Sequence, residues 1–140
     1  MTDLEIARSH LASGNYTCVV CKEDTLYFAT DRGVKPLLNW LDSGLDFSGF
    51  SAADKVVGRA TAFLYCLLGI REVYAGIMSR PAAQVLEEHG INAHWSNLVE
   101  GIINRRGTGP CPFEAAVMGI SDPQEALTAI RAKMVQMQKG

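Results

Sequence analysis

A single cysteine stands in a glycine- and proline-rich turn, Gly107-Thr108-Gly109-Pro110-Cys111-Pro112-Phe113-Glu114, that leads into a helical pattern. Pro112 restricts Cys111 to extended backbone and itself suits a first helical position. Cys111 is therefore expected as the N-cap, and Glu114 as the third residue, of a helix over 112–118. Unsatisfied amides at a helix start favour a thiolate, and Arg105 and Arg106 just upstream would act in the same direction. Such a thiol can serve as nucleophile, acid–base group or metal ligand; the plain alternative is a small, fairly apolar residue that fits the turn. Asn104, Thr108 and the amides of Gly107 and Gly109 would add polar contacts to a substrate, with Glu114 beside them.

About fifty residues earlier runs Ser51-Ala52-Ala53-Asp54-Lys55-Val56-Val57-Gly58-Arg59. Ser51 followed three residues later by Asp54, ahead of an apolar run, matches a capping box, so the sequence predicts one helix from Ser51 to about Leu68. Lys55 and Arg59 would then lie one turn apart near its start, where like charges repel by about 0.2–0.5 kcal/mol and cations oppose the helix dipole. An anion would relieve this, either Asp54 itself or a substrate carboxylate or phosphate. The candidate catalytic residues are Cys111, Asp54 and Lys55. Arg59, Asn104, Gly107, Thr108, Gly109 and Glu114 are candidates for holding a substrate.

These stretches need a framework. Residues 3–13 read as a short amphipathic helix stopped by Gly14. Tyr16 to Cys21 and Leu26 to Thr30, joined by Lys22-Glu23-Asp24, read as a β-hairpin. Cys18 and Cys21 have C-x-x-C spacing, but strand residues three apart point to opposite faces, which favours packing over shared metal ligation. After the turn Asp31-Arg32-Gly33, residues 34–41 form a helix with Pro36 in its first turn, where Arg32 and Lys35 could reach an anion. Residues 71–79, 80–90 and 91–99 alternate strand, helix and strand, a βαβ unit with parallel strands. Asp122 caps a last helix to about Gln138, with Leu127, Ile130 and Met134 on one side. Cys66, His10, His89 and His94 read as structural residues. In such a sheet, ligands sit outside the carboxyl ends of the parallel strands, where both chemistry-bearing helices would begin.

At 140 residues the chain suits one domain over 1–140. Hydrophobic residues at 48%, charged residues at 20% and a formal charge of -2 give no field that would collect nucleic acid or an anionic membrane. No signal-like start and no apolar run long enough for a bilayer stand out, so a cytoplasmic protein with free thiols, contacting neither nucleic acid nor membrane, is expected.

The element order resembles the cytidine deaminase-like fold, a three-layer α/β arrangement with a mixed sheet (antiparallel hairpin plus parallel strands) and helices on both faces. More closely, Gly33-Val34-Lys35-Pro36-Leu37, Asp54-Lys55-Val56-Val57-Gly58-Arg59-Ala60 and Ile103 to Glu114 resemble motifs of DUF1893, a small bacterial family of unknown function placed in that superfamily, over about residues 15–130. Zinc deaminases hold their metal with a His or Cys from the central helix and two cysteines of P-C-x-x-C, a glutamate shuttling protons. Here Glu114 stands where the second cysteine belongs, and no His or Cys lies near the start of the central helix. No metal and no cofactor is therefore expected. The resemblance implies a pocket for a nucleoside, nucleotide or other anionic small molecule, and a homo-oligomer such as a dimer. The leading reading is a metal-independent enzyme. The alternative is a non-catalytic nucleotide or small-ligand binding or sensing module, and a third reading is an oligomeric structural protein joined through Trp40, Trp95 and the C-terminal helix.

Overall fold

In the computed structural model, which describes residues 1–104 and 106–139, helix α1 (Asp3–Ser13) precedes a hairpin, β1 (Cys18–Lys22) and β2 (Thr25–Ala29), and then α2 (Lys35–Asp42). Next come β3 (Ser51–Val57), α3 (Arg59–Leu68), β4 (Glu72–Ser79), α4 (Arg80–Glu88) and β5 (Asn92–Val99), followed by α5 (Pro112–Ala116) and α6 (Pro123–Lys139). The strands form one mixed sheet in the order β2-β1-β3-β4-β5. Strand β1 pairs antiparallel with both β2 and β3, whereas β3, β4 and β5 run parallel. No helix among the described residues is long and apolar enough to cross a membrane.

Strand alternation divides the core between the two faces of the sheet. Ala7 and Leu11 of α1 pack with Val19, Cys21 and Ala53 on one face. On the other, Cys18, Val20 and Ala52 meet α2, α3, α4 and α6 through side chains such as Leu37, Phe63, Leu86 and Ile130. Cys18 and Cys21 thus serve opposite faces, as period-two geometry requires, and all four cysteines are free. Each fully buried aliphatic or aromatic side chain, Phe63 and Leu64 among them, contributes about 1.5–3 kcal/mol by leaving water. Trp40 packs inside the chain on Phe47, with ring centroids 5.4 Å apart.

The helix expected from Ser51 to Leu68 is two elements. Residues 51–57 form the central strand β3, and only Arg59 onward is helical. Asp54, Ala53, Ala52 and Ser51 pair with Cys18 to Cys21 on one side, and Ser51 to Val57 pair with Glu72 to Met78 on the other. This two-sided ladder satisfies backbone groups that a helix would satisfy internally, and tertiary pairing overrides the local capping signal. Ser51 caps nothing; its hydroxyl donates to Glu72 Oε1 at 3.1 Å. Gly58, with extended φ and ψ, is the true N-cap of α3, and Gly69 at φ 76° ends that helix in the left-handed region.

Alternation slips midway along β3 and β4. Asp54 reaches Tyr65 of α3, and Val57, three residues on, also belongs to the helix-covered core; Ala75 and Met78 repeat this on β4. Strict alternation would separate the members of each pair. The slip occurs at Lys55 and Gly76, where a Cβ on Gly76 would lie 3.1 Å from the Lys55 carbonyl oxygen. Glycine permits that backbone approach.

Candidate functional site

Where β3 ends and α3 begins, a cavity of about 550 Å³ opens among the end of β3, the segment before α2 and the segment before α5. Asp54, Lys55 and Val56 line it from β3, and Thr17, Thr30, Arg32 and Val34 from the hairpin and the turn after it. Ile102, Cys111, Phe113 and Glu114 close it from the chain leading into α5. The position follows from the topology, since it lies outside the carboxyl end of a parallel strand.

Asp54 is the most perturbed group in that wall. It is 8% exposed, and burial raises its carboxyl from 3.8 to about 6, against the opposing influence of hydrogen bonds to the carboxylate. Tyr65 donates its hydroxyl to Asp54 Oδ2 at 2.7 Å, and the Val56 amide reaches Oδ1 at 3.3 Å. Cys18 Sγ lies 3.0 Å from the Tyr65 hydroxyl oxygen. Burial also pushes the Tyr65 phenol and the Cys18 thiol well above their ordinary ranges, so both stay protonated. Sequence spacing reveals neither as a partner of Asp54, because Cys18 meets it only if residues 51–57 are a strand and Tyr65 only if that strand breaks into a helix at Gly58.

Glu114 has a different task from the one its spacing suggested. Its carboxylate does not fold back onto Cys111 but reaches across 55 positions, Oε1 accepting from the Arg59 amide at 2.6 Å and Oε2 from the Ala60 amide at 2.8 Å. It caps α3, whose own N-cap residue has no side chain to do so. The anion that the helix start calls for is thus supplied by the protein itself.

Lys55 and Arg59 do not form the expected cation pair. Lys55 is an exposed strand residue in the cavity wall. Arg59, the first residue of α3, donates to the Ile120 carbonyl and lays its guanidinium carbon 5.0 Å from the Phe63 ring centroid, away from the cavity. Its Nε is buried with no hydrogen-bond partner among the described residues.

Cys111 is the N-cap of α5 and holds the extended backbone that Pro112 demands, but its side chain caps nothing and the helix ends at Ala116, short of the expected 118. The half-buried thiol lines the cavity while its amide donates to the Ile102 carbonyl at 2.9 Å. Asn104, Gly107, Thr108 and Gly109 close on one another instead of on the cavity. The Thr108 amide donates to Asn104 Oδ1 at 3.1 Å, and the Gly107 amide to the Asn104 carbonyl at 3.0 Å. The Asn104 amide in turn donates to the Gly109 carbonyl at 2.8 Å. Arg106 is exposed, and Arg105 lies outside the described residues. Arg32, read from sequence only as a cation within reach of a helix start, contributes to the same wall as Lys55.

Among the described residues no three His, Cys, Asp or Glu side chains converge on a point that could hold a metal. Around Cys111 the carboxylates are already committed, Glu114 to two amides and Asp54 to a phenol. This donor set does not fit tetrahedral zinc.

The fold has a solved counterpart in a DUF1893 family protein (TM1506) from Thermotoga maritima, with a TM-score of 0.83 and 23% sequence identity, covering 95% of this chain and 91% of that one. No curated protein sequence matches the chain. The model of a domain of unknown function, DUF1893, matches residues 6–134, nearly the whole length, and the chain belongs to that family.

Proposed function

We propose that the cavity binds a small anionic molecule of nucleoside or nucleotide size and that Asp54 exchanges a proton with it, in a metal-independent reaction. A volume of about 550 Å³ falls within the usual range for small-molecule sites. Arg32 and Lys55 supply positive charge to its wall, Thr17 and Thr30 supply hydroxyls, and Val34, Ile102 and Phe113 supply an apolar surface. Such a lining suits a ligand with an apolar or planar body and one charged group. The observation that carries the reading is the nearly buried Asp54 in the cavity wall, whose carboxyl burial pushes up from 3.8 to about 6, toward the range that suits proton exchange near neutral pH. Cys111 supplies a second reactive group in the same wall. A cytidine deaminase-like classification is part of the same proposal, supported by the strand order and by two helix starts, α3 and α5, that meet at this cavity.

A thermal-shift screen of nucleosides, nucleotides, sugar phosphates and small carboxylates tests it. Stabilisation by an anionic compound should appear in the wild type and be lost in Lys55→Ala and Arg32→Ala. No stabilisation by any anionic compound would refute the reading. A non-catalytic binding module is the second reading, favoured because Glu114 is committed to the α3 amides and is not free for acid–base work. Binding without turnover of the stabilising compound would select it.

A further inference from the structure

Behind Asp54 lie two protonated groups that the cavity does not reach. Cys18 of β1 and Tyr65 of α3 are 1% and 0% exposed, and neither lines the cavity. Cys18 is the Cα partner of Asp54 across the β1–β3 ladder, and Tyr65 approaches from the helix packed over it. The spacing is that of a continuous chain, with 3.0 Å from sulfur to phenol oxygen and 2.7 Å from phenol oxygen to carboxylate.

Donor arithmetic gives this chain a direction. An ionised carboxylate only accepts, so the Tyr65 hydroxyl must give it its single proton, and the phenol oxygen is then free to accept from the Cys18 thiol. Thiol donates to phenol and phenol to carboxylate. The last link is charge-assisted, roughly twice as strong as a neutral one.

We infer that Tyr65 is a positioning residue for Asp54, held in turn by Cys18, and that Oδ2 of Asp54 is committed to the protein interior while Oδ1 exchanges a proton with the occupant of the cavity. In that exchange an N–H or O–H bond of the ligand breaks, its electron pair stays on the ligand atom, and the proton passes to Oδ1; the reverse step returns it. The ligand must then carry such a donor besides the anionic group that faces Arg32 and Lys55. This part rests on the reading of the cavity as a ligand site. The Tyr65–Asp54 relation does not.

The charged and titratable groups around Asp54 are few. Cys18 faces it from β1, Tyr65 from α3, Lys55 is its neighbour on β3, and Arg32, Cys111 and Glu114 share the cavity wall. Tyr65 gives the largest of the hydrogen-bond contributions that stabilise the charged form against desolvation, with the Val56 and Lys55 amides and the Cys18 thiol acting in the same direction.

The test is a carbon-13 NMR titration of the Asp54 side-chain carboxyl in the full chain, assigned by its disappearance in Asp54→Asn. Tyr65→Phe keeps the ring and its packing while removing the donor. The Asp54 midpoint should rise by about one unit or more, roughly tenfold in proton affinity, with a smaller rise in Cys18→Ala. An unmoved midpoint in a folded Tyr65→Phe protein overturns the inference. If that variant does not fold, replacement of the tyrosines by 3-fluorotyrosine, a stronger donor of nearly the same shape, should lower the midpoint, and no movement would overturn it. These readouts need no ligand, so their failure leaves the cavity proposal standing, and a blank ligand screen leaves Tyr65 where it is.

Discussion

Glu114 Oε1 accepts the backbone amide of Arg59 at 2.6 Å, so the first turn of α3 is capped by a residue 55 positions further along the chain. Glycine at 58 makes this possible, because a Cβ there would overlap the Glu114 carboxylate. The end of β3, the start of α3 and the segment carrying Cys111 are thereby fastened at one point.

Glu114→Ala should cost about 0.5–2 kcal/mol, the range for loss of a helix N-cap. Gly58→Ala should cost a similar amount by displacing the same carboxylate. Because both act through one interaction, the double variant should be less destabilised than the sum of the singles, measured by urea unfolding. Additive losses would show that Gly58 and Glu114 act independently.

Asp54 imposes a pH dependence on stability. Its carboxyl is raised from 3.8 to about 6 on folding, so its favourable contribution is fully present below pH 3.8 and is lost as pH rises through about 6. A shift of roughly two units corresponds to about 3 kcal/mol. Relative to wild type, Asp54→Asn, which can still accept from Tyr65, should gain up to about that amount between pH 4 and pH 8. A difference in unfolding free energy that stays flat over this range would contradict the burial argument.

The cysteines should separate in alkylation rate. Cys18 and Cys21 are buried, and Cys66 is pushed up to about 12 by burial, which cuts its thiolate fraction by about a thousandfold. Cys111, half-buried in the cavity wall, should be modified first at pH 7–8, as read by peptide mass spectrometry. Any compound that stabilises the protein through the cavity should slow this modification.

Arg32 and Lys55 are exposed and form no ion pair among the described residues. Arg32→Ala and Lys55→Ala should change unfolding free energy by no more than about 0.5 kcal/mol, the usual range for surface positions. Anion affinity should fall in both. A large loss of stability in either would mean that the cation holds the fold.

Much of the framework was legible because its signals are local. Gly14, Lys22-Glu23-Asp24, Pro36, Pro81 with Gly90, and Asp122 mark boundaries through turn and cap chemistry that does not depend on distant contacts. Residues 51–57 were not legible, since Ser51 and Asp54 offer a local capping pattern while the ladders to β1 and β4 that decide their state lie elsewhere in sequence. Gly58 was the signal to weigh, as a glycine inside a helix costs about 1 kcal/mol relative to alanine. The same dependence on distant contacts extends to the site. Asp54, Lys55, Cys111 and Glu114 line one cavity, but Arg59 turns to Ile120, and Asn104, Gly107, Thr108 and Gly109 satisfy one another. Side-chain direction at a strand-to-helix corner depends on its last dihedrals, which residue spacing does not encode.

The hydrogen that serves as the side chain of Gly76 has a reach beyond its own strand. A methyl group there would press on the Lys55 carbonyl from 3.1 Å, so the Lys55 backbone would have to give by a few tenths of an ångström. That movement falls on the segment of β3 whose Lys55 lines the cavity and whose Val57 belongs to the helix-covered core. The backbone beneath a cation of the cavity wall thus rests against the smallest residue of an adjacent strand, and a substitution at that remote position would disturb the wall while leaving every group in it chemically intact.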